Sequence, residues 1–287
     1  MIPTPPDIPN HELYAIRYAT RPARRASHFM GGDPHDGPMD MDYFIWVAVS
    51  KSQAFVIDLG FSPQAAEKRK RALLRDPVES LRLVGVEPEK VEDVILTHLH
   101  YDHAGNLSAL PAATFHLQES EMHFATGRHI KYRYFASGFD VEDVINVVRL
   151  NYERRVNFYR GRVELAPGIV LEPVPGHSAG LQAVCVHTRR GWVVLASDSV
   201  HYYENVQRRR PYPAAVHVDE MLESFDRIMS LAGDIAHVVP GHDPLVMEVY
   251  PAPSAELQGI VARLDAPPRE LPGWPGSKSA RAVDAAR

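Results

Sequence analysis

The run Thr97-His98-Leu99-His100-Tyr101-Asp102-His103-Ala104-Gly105 places three imidazoles and a carboxylate within six positions. Burying such groups is costly unless something compensates them. A divalent metal does so, and His with Asp is suitable ligand chemistry for zinc. His98 and His100 are two apart, so an extended loop turns both toward one ion; Asp102 and His103, one turn later, can face a second. Three later elements carry the same residue types: Pro173-Val174-Pro175-Gly176-His177-Ser178, Ala196-Ser197-Asp198-Ser199 and Pro240-Gly241-His242-Asp243. Each follows an apolar run and a turn, which is how one edge of a sheet gathers distant residues.

The elements that must position these groups are legible as alternating strand and helix signals. The runs 44–49 and 54–58, separated by Ser50-Lys51-Ser52-Gln53, predict a hairpin. Ser62 before Pro63 predicts the start of a helix over 63–75. Short strands are expected at 94–96, 114–117, 169–171, 183–186, 193–196 and 237–239, and Met221, Leu222, Phe225, Ile228, Met229 and Leu231 mark one helical face over 219–231. The order reads as two β-rich halves with helices outside, an α/β layered sandwich. Residues 121–160 are aromatic and basic. Most of Phe124, Tyr132, Tyr134, Phe135, Phe139, Tyr152, Phe158 and Tyr159 read as helical packing, and the segment as a whole as a helical cap over a substrate site. Residues 1–250 read as one domain, and 251–287 as a loosely docked Pro/Ala-rich tail.

Composition narrows the class. The chain has 287 residues, 45% hydrophobic and 23% charged, which excludes a mainly disordered, collagenous or coiled-coil protein. A single cysteine, Cys185, rules out an internal disulfide and a cysteine metal cluster, and its apolar strand marks it as an inert core residue. The net charge of −5 gives no support to a nucleic-acid partner. No apolar run is long enough to span a bilayer, and residues 1–6 lack the regions of a signal peptide. A cytoplasmic enzyme without membrane attachment, possible as a homodimer, is the expectation.

At these residues the sequence resembles the metallo-β-lactamase-fold hydrolases, over roughly 43–243. The resemblance implies an αββα sandwich with a dinuclear zinc site at one edge of its sheets. It implies that His98, His100 and His177 hold one metal, that Asp102, His103 and His242 hold the other, and that Asp198 bridges both. Asp58, in Val56-Ile57-Asp58-Leu59-Gly60, matches the family's structural aspartate beneath the metal loop. Within the superfamily the chain looks most like the N-acyl homoserine lactonase branch, which includes small-ring lactonases such as 4-pyridoxolactonase. That implies attack of a metal-bridging hydroxide on a lactone carbonyl, with Asp102 carrying the released proton to the leaving oxygen. One departure stands out: those lactonases carry a tyrosine three residues after the bridging aspartate, whereas here that position is His201, followed by Tyr202 and Tyr203. His201 or Tyr202 is therefore the expected hydrogen-bond donor to the carbonyl.

Substrate signals are weaker. The loop 29–42, rich in Met and Gly, could wall an apolar pocket, or simply pack its methionines at the surface. Arg208-Arg209-Arg210 reads as a solvated charge run more readily than as a carboxylate clamp. His116, His123, His129, His187, His217 and His237 lack motif context and receive no role. Two rivals share the donor set: a thioester hydrolase of glyoxalase II type, and a mononuclear iron persulfide dioxygenase. The first is disfavoured by the absence of a clear basic pair near the C-terminus; the second would show one iron per chain.

Overall fold

The structure, a computed structural model, describes residues 2, 4, 5, 7–51, 53–270 and 274. A first sheet contains β1 (Glu12–Arg21), β2 (Met41–Val49), β3 (Ala54–Ile57), β4 (Ala72–Leu73), β5 (Asp93–Ile95), β6 (Thr114–Gln118) and β7 (Val156–Tyr159). A second contains β8 (Val163–Ala166), β9 (Ile169–Pro173), β10 (Gln182–Thr188), β11 (Gly191–Ser197) and β12 (Val238–Pro240), in the order β12-β11-β10-β9-β8. A last strand, β13 (Val261–Arg263), returns to the first sheet, whose order is β13-β1-β2-β3-β5-β6-β7 with β4 also on β1. The helices are α1 (Pro63–Arg69), α2 (Glu119–Ala125), α3 (Arg133–Ala136), α4 (Val141–Tyr152), α5 (Tyr203–Gln207), α6 (Val218–Ala232) and α7 (Leu245–Val249). Among the described residues no helix is long and apolar enough to cross a membrane.

The period-two rule of strands builds the layers. In β2, Phe44, Trp46 and Ala48 point between the two sheets, while Tyr43, Ile45 and Val47 point to the outer helices. In β10, Val184 and Val186 meet the first sheet, while Ala183 and Cys185 meet Met221, Phe225 and Ile228 of α6. Both faces of both sheets are thus covered, giving the αββα sandwich. Each fully buried large side chain, such as Trp46 or Phe44, contributes roughly 1.5–3 kcal/mol of transfer free energy. Because β3 and β5 are parallel, and β9 and β11 run the same way through antiparallel β10, their C-terminal ends share one edge.

Several expectations need correction. The first helix stops at Arg69, six residues early, because Lys70 takes a left-handed conformation (φ 55°) as its C-cap and residues 72–73 pair with β1. The strand β1 is an addition to the expected set, which begins at residue 44. The tail is not loosely docked over its described part: β13 pairs with β1, and Val261, Ala262 and Leu264 are buried. Residues 271–273 and 275–287 of that tail lie outside the described residues. The aromatic segment is also more divided than a single cap. Residues around α3 overhang the site, whereas α4 buries Val144, Val147 and Leu150 in the outer layer and the chain then forms β7.

Candidate metal centre

Each donor sits in the loop or turn that follows a strand. The loop after β5 carries His98, His100, Asp102 and His103; His177 follows β9, Asp198 follows β11 and His242 follows β12. Sharp local backbone makes the turns possible: Asp58 and Ser197 adopt positive φ (60° and 46°) where β3 and β11 end. Strained backbone of this kind persists only where surrounding structure holds it. The structure brings all seven residues together. His98, His100 and His177 form one set of ligand atoms within 4.8 Å of one another; Asp102, His103 and His242 form another, and Asp198 joins His98 with His103 in a third.

The imidazoles are oriented from behind. His103 Nδ1 donates to Asp58 Oδ2 (2.7 Å), His177 Nδ1 to the Ala214 carbonyl (2.7 Å) and His242 Nδ1 to the Asp42 carbonyl (2.8 Å). Thr97 Oγ1 spends its proton on Asp58 Oδ2 (2.7 Å), so it accepts from His98 Nδ1 (3.1 Å). In all four rings Nε2 is thereby left to face the centre, the arrangement that orients metal-binding histidines. His100 presents Nδ1 instead, 3.1 Å from His98 Nε2 and 2.9 Å from His177 Nε2. Asp58 therefore occupies the supporting position expected of it.

The inner atoms fit a cation better than each other. His103 Nε2 and Asp198 Oδ1 are buried without a hydrogen-bond partner, although only 3.3 Å apart. His242 Nε2 lies 3.1 Å from Asp198 Oδ1, and His177 Nε2 lies 3.4 Å from Asp198 Oδ2. Orphaned buried polar atoms in a native-like core call for a missing partner. Burial and neighbouring imidazoles push His98 and His100 well below the ordinary histidine value, keeping them in the neutral form that metal ligation requires. Burial opposes the charged form of His103 too, but Asp198, Asp58 and Asp102 outweigh it and raise that ring. The donor types, spacing and electrostatics thus suit divalent metal.

A cavity of ≈ 340 Å³ opens over these groups. Phe124, Tyr134, Phe135 and Phe139 of the overhanging segment form one wall, and Met41 and Tyr43 contribute from β2. Of the Met-rich loop, Met41 alone reaches the cavity; Met39 packs into the outer core and Met30 is exposed. His201 also lines the cavity, its ring stacked on Tyr212 (3.6 Å) and its Nε2 3.0 Å from Asp198 Oδ2. Burial drives its pKa down to about 3. Tyr202 does not reach the cavity. Its hydroxyl donates to the Asp40 carbonyl (3.0 Å) and lies 3.1 Å from His28 Nε2, because α5 begins there and turns the ring into the core. The arginine run is consumed by ion pairs, Arg208 with Glu204, Arg209 with Asp226 and Arg210 with Asp33. His116 is likewise structural, bound to Asp93 and Tyr159, and Cys185 is a buried thiol pushed up to about 12.

Three further residues support the donors from outside the cluster. The fully buried Glu121 accepts from Leu99 N (3.0 Å) and Gly180 N (2.8 Å), tying the first metal loop to the loop after His177. Gly241 passes so close to Asp198 that a Cβ would lie 2.7 Å from Oδ1, which explains the glycine before His242. Gly138 packs on His100, and a Cβ there would lie 2.5 Å from Nε2. Gly138→Ala is therefore expected to shift His100 and lower metal affinity about tenfold or more, with melting temperature little changed. Unchanged metal affinity in that variant would show that the ring has room to move.

A family model described as the metallo-beta-lactamase superfamily matches residues 41–242. An N-acyl homoserine lactonase of Bacillus cereus is 30% identical over 136 residues, covering 47% of this chain and 49% of that protein. A probable metallo-hydrolase of Mycobacterium tuberculosis is 27% identical over 177 residues, 56% of this chain and 54% of that one. The chain thus spans about half the length of the curated relatives it matches. A solved quorum-quenching N-acyl homoserine lactone lactonase shares the fold, with a TM-score of 0.69 and 22% identity over 82% of this chain and 94% of that one.

Proposed function

Because the chain belongs to the metallo-beta-lactamase superfamily, we propose that it is a metal-dependent hydrolase that opens a lactone ring, using two zinc ions. The observation that carries this reading is the cluster of imidazole and carboxylate donors around Asp198 at the floor of an aromatic-walled cavity. His98, His100 and His177 would hold one ion and Asp102, His103 and His242 the other, with Asp198 as the donor shared between them. When bound, such a pair of cations supplies an activated water and Lewis-acid stabilisation of the carbonyl charge. The residues do the rest. Asp102, lining the cavity, takes the proton released by the nucleophile and returns it to the ring oxygen as it leaves. His201 acts through Asp198, to which its Nε2 already points, as a positioning residue. The aromatic wall excludes water from the ring and takes its apolar face. N-acyl homoserine lactones and small aromatic or γ-lactones are the candidate substrates.

The test is metal content of the purified chain together with a panel of acyl homoserine lactones, γ-butyrolactone, an aromatic lactone and a thioester. Two zinc equivalents with ring opening are expected. One iron without ring opening would replace the reading with the dioxygenase, and thioester turnover alone would overturn the substrate class. In the same assay His201→Ala should lower kcat by about tenfold with both metals retained. Tyr202→Phe should leave kcat unchanged while costing about 1 kcal/mol of stability through the lost bond to Asp40.

A further inference from the structure

The cavity carries a charge pattern that a metal centre does not require. Arg21 at the end of β1, Arg69 in the last turn of α1 and Arg71 just beyond it all line it. Among the described residues no carboxylate lies within 4.0 Å of any of these three guanidinium groups, unlike Arg208, Arg209 and Arg210. Arg69 reaches the Ser137 and Phe139 carbonyls (2.8 and 2.9 Å), stacks 3.7 Å over the Tyr101 ring and keeps a buried Nε without a partner. Arg71 bonds Tyr101 Oη (3.1 Å) and the Arg69 carbonyl (2.7 Å). Arg21 is the least committed: its acceptor is the thioether of Met41 at 3.3 Å, a weak one. The acidic residues lining the cavity, Asp102 and Asp198, both belong to the donor cluster and would be neutralised by cations there.

We propose that the substrate is a lactone bearing a carboxylate, docked on Arg21, Arg69 and Arg71 while its ring lies over the donor cluster. The inference rests on the lactonase reading of that site. A neutral acyl chain filling the cavity would strip water from three cations that make no direct ion pair among the described residues, which is costly. A carboxylate instead matches the planar guanidinium fork, and Phe124, Phe135 and Phe139 accept the ring beside it. The three arginines come from two elements, β1 and the α1 terminus, that converge on the cavity.

The experiment compares kcat/KM of the metal-loaded full chain for γ-butyrolactone-γ-carboxylate and for its primary carboxamide. The carboxylate should be preferred by about tenfold or more, with the difference in KM and weakened by added salt. In Arg21→Gln the ratio should fall about tenfold, and Arg21→Lys, which keeps the charge, should retain most of it. Equal turnover of the two lactones, or a ratio unmoved in Arg21→Gln, overturns the inference while leaving the lactonase reading intact. Calorimetry with tetrahydrofuran-2-carboxylate, which has no bond to hydrolyse, separates the opposite case. Arg21-dependent binding without lactone opening would retain the anion subsite and overturn the lactonase reading; neither binding nor opening would overturn both.

Discussion

Asp198→Ala is expected to lose metal and activity together, with turnover down by about 10³-fold or more. The carboxylate is buried and sits between four imidazoles, its oxygens 3.1 Å from His242 Nε2, 3.3 Å from His103 Nε2, 3.4 Å from His177 Nε2 and 3.0 Å from His201 Nε2. Removing it leaves those nitrogens converging on a gap without the negative charge that the two proposed cations would require. The strand before it should survive, because β11 is held by backbone pairing to β10 and β12. Elemental metal analysis beside kcat checks this, and Asp198→Asn, which keeps shape but not charge, should behave nearly as badly. Full activity in Asp198→Ala would overturn its assignment to both metals.

Asp58→Ala should produce the second large effect, and chiefly on the frame. This fully buried carboxylate accepts Thr97 N and Thr97 Oγ1 (both 2.7 Å) and His103 Nδ1 (2.7 Å). Breaking a buried charged network of this kind costs about 3–5 kcal/mol, to which alanine adds strain at φ 60°. Melting temperature should drop by roughly 5–10 °C, and metal affinity by about 10–100-fold as His103 loses its anchor. Asp58→Asn separates the two contributions. Asparagine tolerates positive φ and can still accept from Thr97, so stability should largely return while metal affinity remains low. A variant with normal metal affinity would show that His103 is oriented by other contacts.

Much of the frame was readable because strands here carry dense apolar runs and end at turn residues. The hairpin of β2 and β3, the strands β9 to β11 and the amphipathic α6 all lie where periodicity places them. The same property hid β1. Leu13 and Ala15 face one core while Tyr14, Ile16 and Tyr18 face the other, so no polar alternation marks a half-buried strand. For β13 the signal was weaker still, since three residues pair only because β1 offers them an edge. The helix α1 reads longer than it is because residues 70–75 include good helix formers, yet tertiary pairing with β1 overrides that propensity.

The sequence by itself singled out the residues that converge at the sheet edge: residue types and spacings in the first motif, and a single Asp or His just past each later strand, suffice because chemistry and turn position are local properties. Only the tertiary structure decided which neighbours share the cavity. Tyr202 and His201 are adjacent, yet one ring enters the core and the other lies over Asp198, since the start of α5 turns them apart. Arg21, Arg69 and Arg71, ordinary surface residues by sequence, meet because β1 and the end of α1 converge beside the metal loop. Gly138 and Glu121 matter only through contacts with His100 and Leu99. Where a side chain points after a turn depends on packing between elements far apart in the chain, and no local pattern encodes it.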